Sequence, residues 1–176
     1  MRTTSLRRAG AGAFAVLALL TAACSDDGDD LKTVTATDYA FQDLPDSVDA
    51  GTTLTLKNTS DKEIHELVAI WLPDDEKRSV QQLVNLPVAE QNAIFGRGQP
   101  AMVLISPPGS DDPIKALGDG RLTEKGRYAI VCTIPTGANP AAYLAAAQAA
   151  QGGGPPQVAG GPPHAAQGMY GEIKVK

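Results

Sequence analysis

GRYAIVCT, residues Gly126–Thr133, is the stretch on which the reading of the fold turns. Side chains alternate faces along a strand with period two, so Tyr128, Ile130 and Cys132 share one face. Other segments read the same way. Thr33–Asp38 alternates polar and small apolar residues, and Tyr39–Phe41 is expected to extend it. Thr52–Lys57 places Leu54 and Leu56 on one face. His65–Leu72 and Met102–Ile105 follow, and Met169–Lys176 closes the chain with Met169, Gly171, Ile173 and Val175 facing one way. Asp49–Gly51 and Asn58–Asp61 carry turn chemistry, and Pro107–Pro113 reads as loop. Between Pro73 and Phe95 the spacing becomes helix-compatible, which predicts a helical excursion over about 79–95, interrupted by Pro87. Short strands, turn-rich connections and no alternating β/α rhythm predict an all-β fold, a Greek-key β-sandwich.

The first residues read as an export signal. Arg2, Arg7 and Arg8 precede the apolar run Ala11–Leu20, which is too short to span a bilayer as a helix. Leu20-Thr-Ala-Ala-Cys24, followed by an acidic stretch, resembles the lipobox of bacterial lipoproteins. That resemblance implies a signal peptide over 1–23, lipidation at Cys24, an acidic tether over 24–31 and a folded domain over 32–176. An ordinary secretory signal with a chance cysteine is the alternative. Export would use the Sec route or, through Arg7-Arg8, the Tat route. Removing residues 1–23 takes away three arginines and no acid, moving the formal charge from −5 to −8. This excludes nucleic acid, which needs a basic face, and suits a protein partner with a basic docking face.

The chain has two cysteines. If Cys24 carries lipid, Cys132 has no partner within the chain and is either inert core or a metal ligand. Two histidines complete the relevant set, His65 at the start of one predicted strand and His164 just before the last. Two imidazoles, a thiolate and a weak thioether make up a blue-copper site, and Met169 can supply the thioether. Singly, each residue has a plainer reading: His65 at a strand edge, Cys132 and Met169 in the core, His164 in a loop.

Three segments carry a family resemblance. LKNTSDKEIHELVAI (56–70) resembles a segment in which an asparagine turn precedes a histidine ligand, GRYAIVC a cysteine-bearing strand, and HAAQGMYGEIKV (164–175) an H-x4-M pattern leading into a terminal strand. Together they resemble the plastocyanin/azurin family of cupredoxins over most of residues 32–176. The resemblance implies a cupredoxin-like β-sandwich holding one type 1 copper on His65, Cys132, His164 and Met169.

The chain departs from that pattern between cysteine and second histidine. Plastocyanins commonly leave only two residues there, whereas residues 133–163 intervene here. About four doublings in loop length cost roughly 2.4 kcal/mol at about 0.6 kcal/mol each, which metal binding can offset. The insert, about 136–163, has its own logic. Asn139-Pro140 resembles a cap and first helical residue, Pro140–Gln151 is rich in strong helix formers, and Gly152–Gly154 stops them. Pro162-Pro163 restricts the backbone before His164.

These features imply a membrane-anchored one-electron carrier working between extracytoplasmic redox partners, tethered by lipid to the outer face of the cell membrane, with His164 on an exposed loop as the electron exit. Copper storage or delivery uses the same ligands and is one alternative; a metal-free interaction domain is another. An enzyme is not expected, because further copper sites need further histidines and no H-E-x-x-H occurs. Glu66 is expected to face solvent, Trp71 to serve packing and Met102 to lie in the core.

Overall fold

A computed structural model of the chain describes residues 30–97, 100–150 and 154–176. The signal peptide and Cys24 expected from sequence lie outside the described residues, as do Gly152 and Gly153 of the expected helix stop. Ten strands are described: β1 (Leu31–Thr37), β2 (Ala40–Gln42), β3 (Ser47–Val48), β4 (Thr52–Asn58), β5 (His65–Leu72), β6 (Met102–Ser106), β7 (Ile114–Leu117), β8 (Arg121–Leu122), β9 (Gly126–Val131) and β10 (Tyr170–Val175). They form two sheets, ordered β2-β1-β4-β8 and β3-β10-β9-β5-β6-β7. Both are mixed, since β1 runs parallel to β4 and β10 parallel to β3. The expected β-sandwich is what the chain adopts.

The core lies between the sheets. Val34, Ala36, Leu54 and Leu56 from the smaller sheet meet Leu67, Ala69, Leu104, Tyr128, Ile130 and Ile173 from the larger. The alternation read from β9 holds: Tyr128, Ile130 and Cys132 all belong to this cluster. Met102 is buried there as well.

β5 is buried on both faces. Its inward row, Leu67 and Ala69, enters the sandwich core, whereas Val68, Ile70 and Leu72 form a second cluster with Ala129 and Val131. A sheet apolar on its outer face must be covered, and the helical excursion covers it. α1 (Val80–Val84) and α2 (Val88–Phe95) supply Val80, Leu83 and Ile94 to this cluster. Ser79 opens α1 in a capping box with Gln82, and Pro87 stands at the N-cap of α2, where its missing N–H costs nothing.

One local expectation is corrected, and two details are added. Tyr39–Phe41 does not extend β1: Tyr39 takes φ 64°, the chain reverses, and Ala40 pairs back onto Thr37. Trp71 is 44% exposed, and its indole rests on Gly126, where a Cβ would come within 2.6 Å of Nε1. Short β7 and β8 carry no alternation long enough to read.

Arg127 ties the outer surface together. Its guanidinium donates to both Glu172 carboxylate oxygens at 2.9 and 2.7 Å and to the carbonyls of Glu76 and Arg78 at 2.6 and 3.0 Å. The loop entering α1 is thereby fastened to β9 and β10.

Leu83 has no exposed surface, so Leu83→Ala is expected to cost about 2–5 kcal/mol in chemical denaturation while leaving the inter-sheet core closed.

Candidate metal centre

The site is built at one end of the sandwich, where β5 begins and β9 ends. Asn58, at the end of β4, shapes the approach to His65. It is buried, its amide donates to the carbonyls of Glu63 and Ser106 at 2.9 Å each, and its oxygen accepts from Ser60 N–H at 2.9 Å. A side chain that bonds backbone two residues on makes an Asx turn. This one fixes the segment leading to His65, which pairs across to Ser106.

Cys132 follows β9. Its N–H donates to Met169 O at 3.2 Å, and its Sγ accepts from Glu66 N–H at 3.4 Å. His164 opens a 3-10 turn, His164–Gln167, closed by Gly168 at φ 112°. The residues leaving Cys132 and those arriving at His164 are joined. Ala165 N–H donates to Cys132 O at 2.8 Å, His164 N–H to Ile134 O at 2.9 Å, Thr136 N–H to Pro162 O at 2.9 Å and Gly161 N–H to Thr136 O at 2.8 Å. The neck is tight: a Cβ on Gly160 would come within 2.5 Å of Pro135 Cβ. The long insert is thus a pinched loop whose ends are held together by backbone bonds, beyond the backbone restriction expected of Pro162-Pro163.

Within the loop stands α3 (Pro140–Ala150), capped as expected: Ala142 N–H donates to Asn139 Oδ1 at 2.9 Å. Tyr143 is its buried residue and donates from its hydroxyl to Glu66 Oε2 at 2.8 Å. Glu66 Oε1 accepts from Thr133 N–H at 3.0 Å and from the Thr133 hydroxyl. Glu66 is therefore buried, contrary to the expectation that it faces solvent. The insert covers this end of β5 and brings its own donor. Burial pushes the Glu66 carboxyl up, against the pull of its hydrogen bonds to Thr133 and Tyr143.

His65, Cys132 and His164 converge. The two Nδ1 atoms lie 3.1 Å apart, Cys132 Sγ lies 3.3 Å from His164 Nδ1, and one donor atom from each residue falls within 4.8 Å of the others. All three side chains are fully buried. Nitrogens each about 2.0–2.1 Å from one ion can be no more than about 4 Å apart, so this donor set fits a single metal ion. Met169 is buried in the same core cluster as Cys132, and its N–H donates to His164 O at 3.0 Å.

Burial sets the protonation of the set. Desolvation, with His164 beside it, lowers His65 from the ordinary 6.5 to about 4. Desolvation also lowers His164, against the opposing pull of Glu63. The Cys132 thiol is pushed strongly up by burial and by the nearby Glu66 charge. Near neutral pH the rings are uncharged and can offer lone pairs, whereas the thiol must lose a proton to bind metal.

His164 is not the exposed ring expected of an electron exit. It has no exposed surface, and the Tyr39 ring stands edge-on at 5.1 Å between centroids. Of the four expected metal-site residues, His65, Cys132 and His164 converge, and Met169 adjoins them through its backbone bonds to Cys132 and His164. The turn expected at Asn58 is the one that shapes the approach to His65; sequence reasoning missed Glu63 and Tyr143, and nothing in their local sequence marks them.

No family model matches the sequence, and no curated protein matches it. Among solved structures, the chain is similar to a dithionite-reduced auracyanin from Roseiflexus castenholzii at 19% identity, covering 84% of this chain and 97% of that one, with TM-score 0.45. It is similar to auracyanin A, a blue copper protein from Chloroflexus aurantiacus, at 14% identity, covering 83% and 99%, with TM-score 0.40. Reduced rusticyanin is matched at 18% identity, covering 84% and 80%, also with TM-score 0.40. The site itself rests on the geometry above.

Two outcomes follow for the metal-free protein. A histidine depressed from 6.5 to about 4 in the folded state contributes stability that is present above pH 6.5 and lost as pH falls through 4. That is roughly 3 kcal/mol for His65, measured as the fall in unfolding free energy over this window and reduced in His65→Phe. Tyr143→Phe leaves Glu66 Oε2 without its donor and is expected to cost about 1.5–3 kcal/mol by denaturant titration at neutral pH.

Proposed function

We propose that the chain is a blue-copper one-electron carrier, anchored by lipid on Cys24 to the outer face of the cell membrane and serving extracytoplasmic redox proteins. The observation that carries the reading is the buried convergence of two neutral imidazoles and one thiol at 3.1 and 3.3 Å. Two histidines and a cysteine in a trigonal arrangement with a weak axial methionine are the ligand pattern of blue-copper electron-transfer sites. Copper bound there would supply reversible one-electron chemistry. In this reading Cys132 gives up its proton and binds as thiolate. His65 and His164 would hold the ion through Nδ1, with Met169 as the weak fourth ligand.

The surrounding residues support a carrier more than a store that must release its ion. Cys132 Sγ is held by Glu66 N–H, and His164 has no exposed surface. Such a site would hold a bound ion away from water. Similar proteins named among the solved structures include a blue copper protein, in keeping with this reading. No helix among the described residues is long and apolar enough to cross a membrane, so attachment in this proposal depends on Cys24. The mature charge of −8, counted from Cys24 onward, suits a partner with a basic docking face.

Residues 25–176 mixed with Cu(II) are expected to develop an intense blue charge-transfer band and to release about one proton per ion near neutral pH, from Cys132. Cys132→Ser is expected to abolish both. A parent protein that never turns blue defeats the proposal. A blue protein that surrenders copper rapidly but exchanges electrons slowly points to storage or delivery instead.

A further inference from the structure

Glu63 stands two residues before His65 and is held by its own backbone. Its N–H donates to Ser60 Oγ at 3.0 Å, and its carbonyl accepts from Asn58 Nδ2 at 2.9 Å. From that fixed base the carboxylate reaches three ways. Both oxygens accept from Gly137 N–H, at 3.2 and 3.1 Å, at the start of the insert. Oε1 accepts from the Tyr39 hydroxyl at 3.4 Å. Oε2 lies 3.4 Å from Nε2 of His164. That approach is within ion-pair distance but not aligned as a hydrogen bond, and Nε2 of His164 is otherwise a buried polar atom without a partner.

A neutral imidazole carries one N–H and one lone pair. The 3.1 Å contact between the two Nδ1 atoms requires one ring to donate and the other to accept. A carboxylate can only accept, so its place beside Nε2 decides which. We propose that Glu63 is a positioning residue for His164: its carboxylate faces Nε2 and favours the tautomer that keeps the proton there, leaves the His164 Nδ1 lone pair facing Cys132 and His65, and couples the neck of the insert to that ligand. His65 then takes the opposite tautomer in the metal-free protein, donating from Nδ1, with its Nε2 unpartnered as observed. A carboxylate behind a ligating histidine raises the basicity of the ligand. It also places a negative charge near the ion, favouring the more highly charged state.

The redox consequence rests on the blue-copper reading; the tautomer assignment does not. In 15N-labelled metal-free protein, ring-nitrogen shifts are expected to place the proton of His164 on Nε2 and that of His65 on Nδ1. Glu63→Gln is expected to mix the His164 tautomers. In the copper-loaded protein, Glu63→Gln is expected to raise affinity for Cu(I) relative to Cu(II) about tenfold, which is about 59 mV in a one-electron midpoint. Asp61→Asn, which removes an exposed acid nearby, is expected to change that ratio less than about twofold. A wild-type His164 proton found on Nδ1 overturns the proposal whether or not copper binds, and it decides alone if Glu63→Gln does not fold. A midpoint that moves no further in Glu63→Gln than in Asp61→Asn, with His164 tautomers unchanged, overturns it as well. A wild-type protein that stays colourless defeats the copper reading and leaves the nitrogen shifts to judge Glu63.

Discussion

The backbone pairing that joins Cys132–Thr136 to Gly161–Ala165 governs the rest of the site. Cys132 and His164 are far apart in sequence, yet Ala165 N–H on Cys132 O and His164 N–H on Ile134 O bring them together. Without this neck, closing a loop of residues 133–163 would leave His164 wherever a flexible chain put it. With it, most of the insert lies outside the closure, and the ligand geometry becomes independent of insert length. The slow growth of loop-closure entropy with length makes such an insertion tolerable; the hydrogen-bonded neck makes it accurate.

A second constraint follows from burial. Two imidazoles and a thiol sit in the core with no exposed surface, where charged forms are heavily disfavoured. The surroundings manage this with acceptors and donors placed from several directions. Glu66 presents its N–H to Cys132 and its carboxylate to Thr133 and Tyr143. Glu63 faces the insert neck, Tyr39 and His164. Both acids therefore join the insert to the strand that carries His65. The insert closes the site through these acids, and through Leu144, Ala147 and Val158, which pack partly buried against the core.

The large sheet explains why the helical excursion exists. β5 is apolar on both faces, which a two-layer sandwich alone cannot satisfy. Leu83 and Ile94 supply the third layer on the outer face, and Arg127 fastens its entrance to the terminal strand pair. Rigidity at β5 and β9 is inherited by the metal-site residues at their ends.

Much of this was legible in the sequence. The period-two patterns of Thr52–Lys57, Gly126–Thr133 and Met169–Lys176 specify half-buried strands. The spacing after Ser79 specifies a helical excursion. The residue types and chain order of His65, Cys132, His164 and Met169 specify which side chains could serve a metal. Each of these signals is local: periodicity, capping or residue identity. What only the tertiary structure decided is non-local. The burial of Glu66 depends on Tyr143 arriving from an insert 77 positions away. The enclosure of His164 depends on Tyr39, whose reversed backbone no propensity announces. The reach of Glu63 depends on Gly137 and His164 being carried to it by the neck. A carboxylate has no periodicity of its own, and whether it meets solvent or a buried donor is settled by which distant segment packs over it.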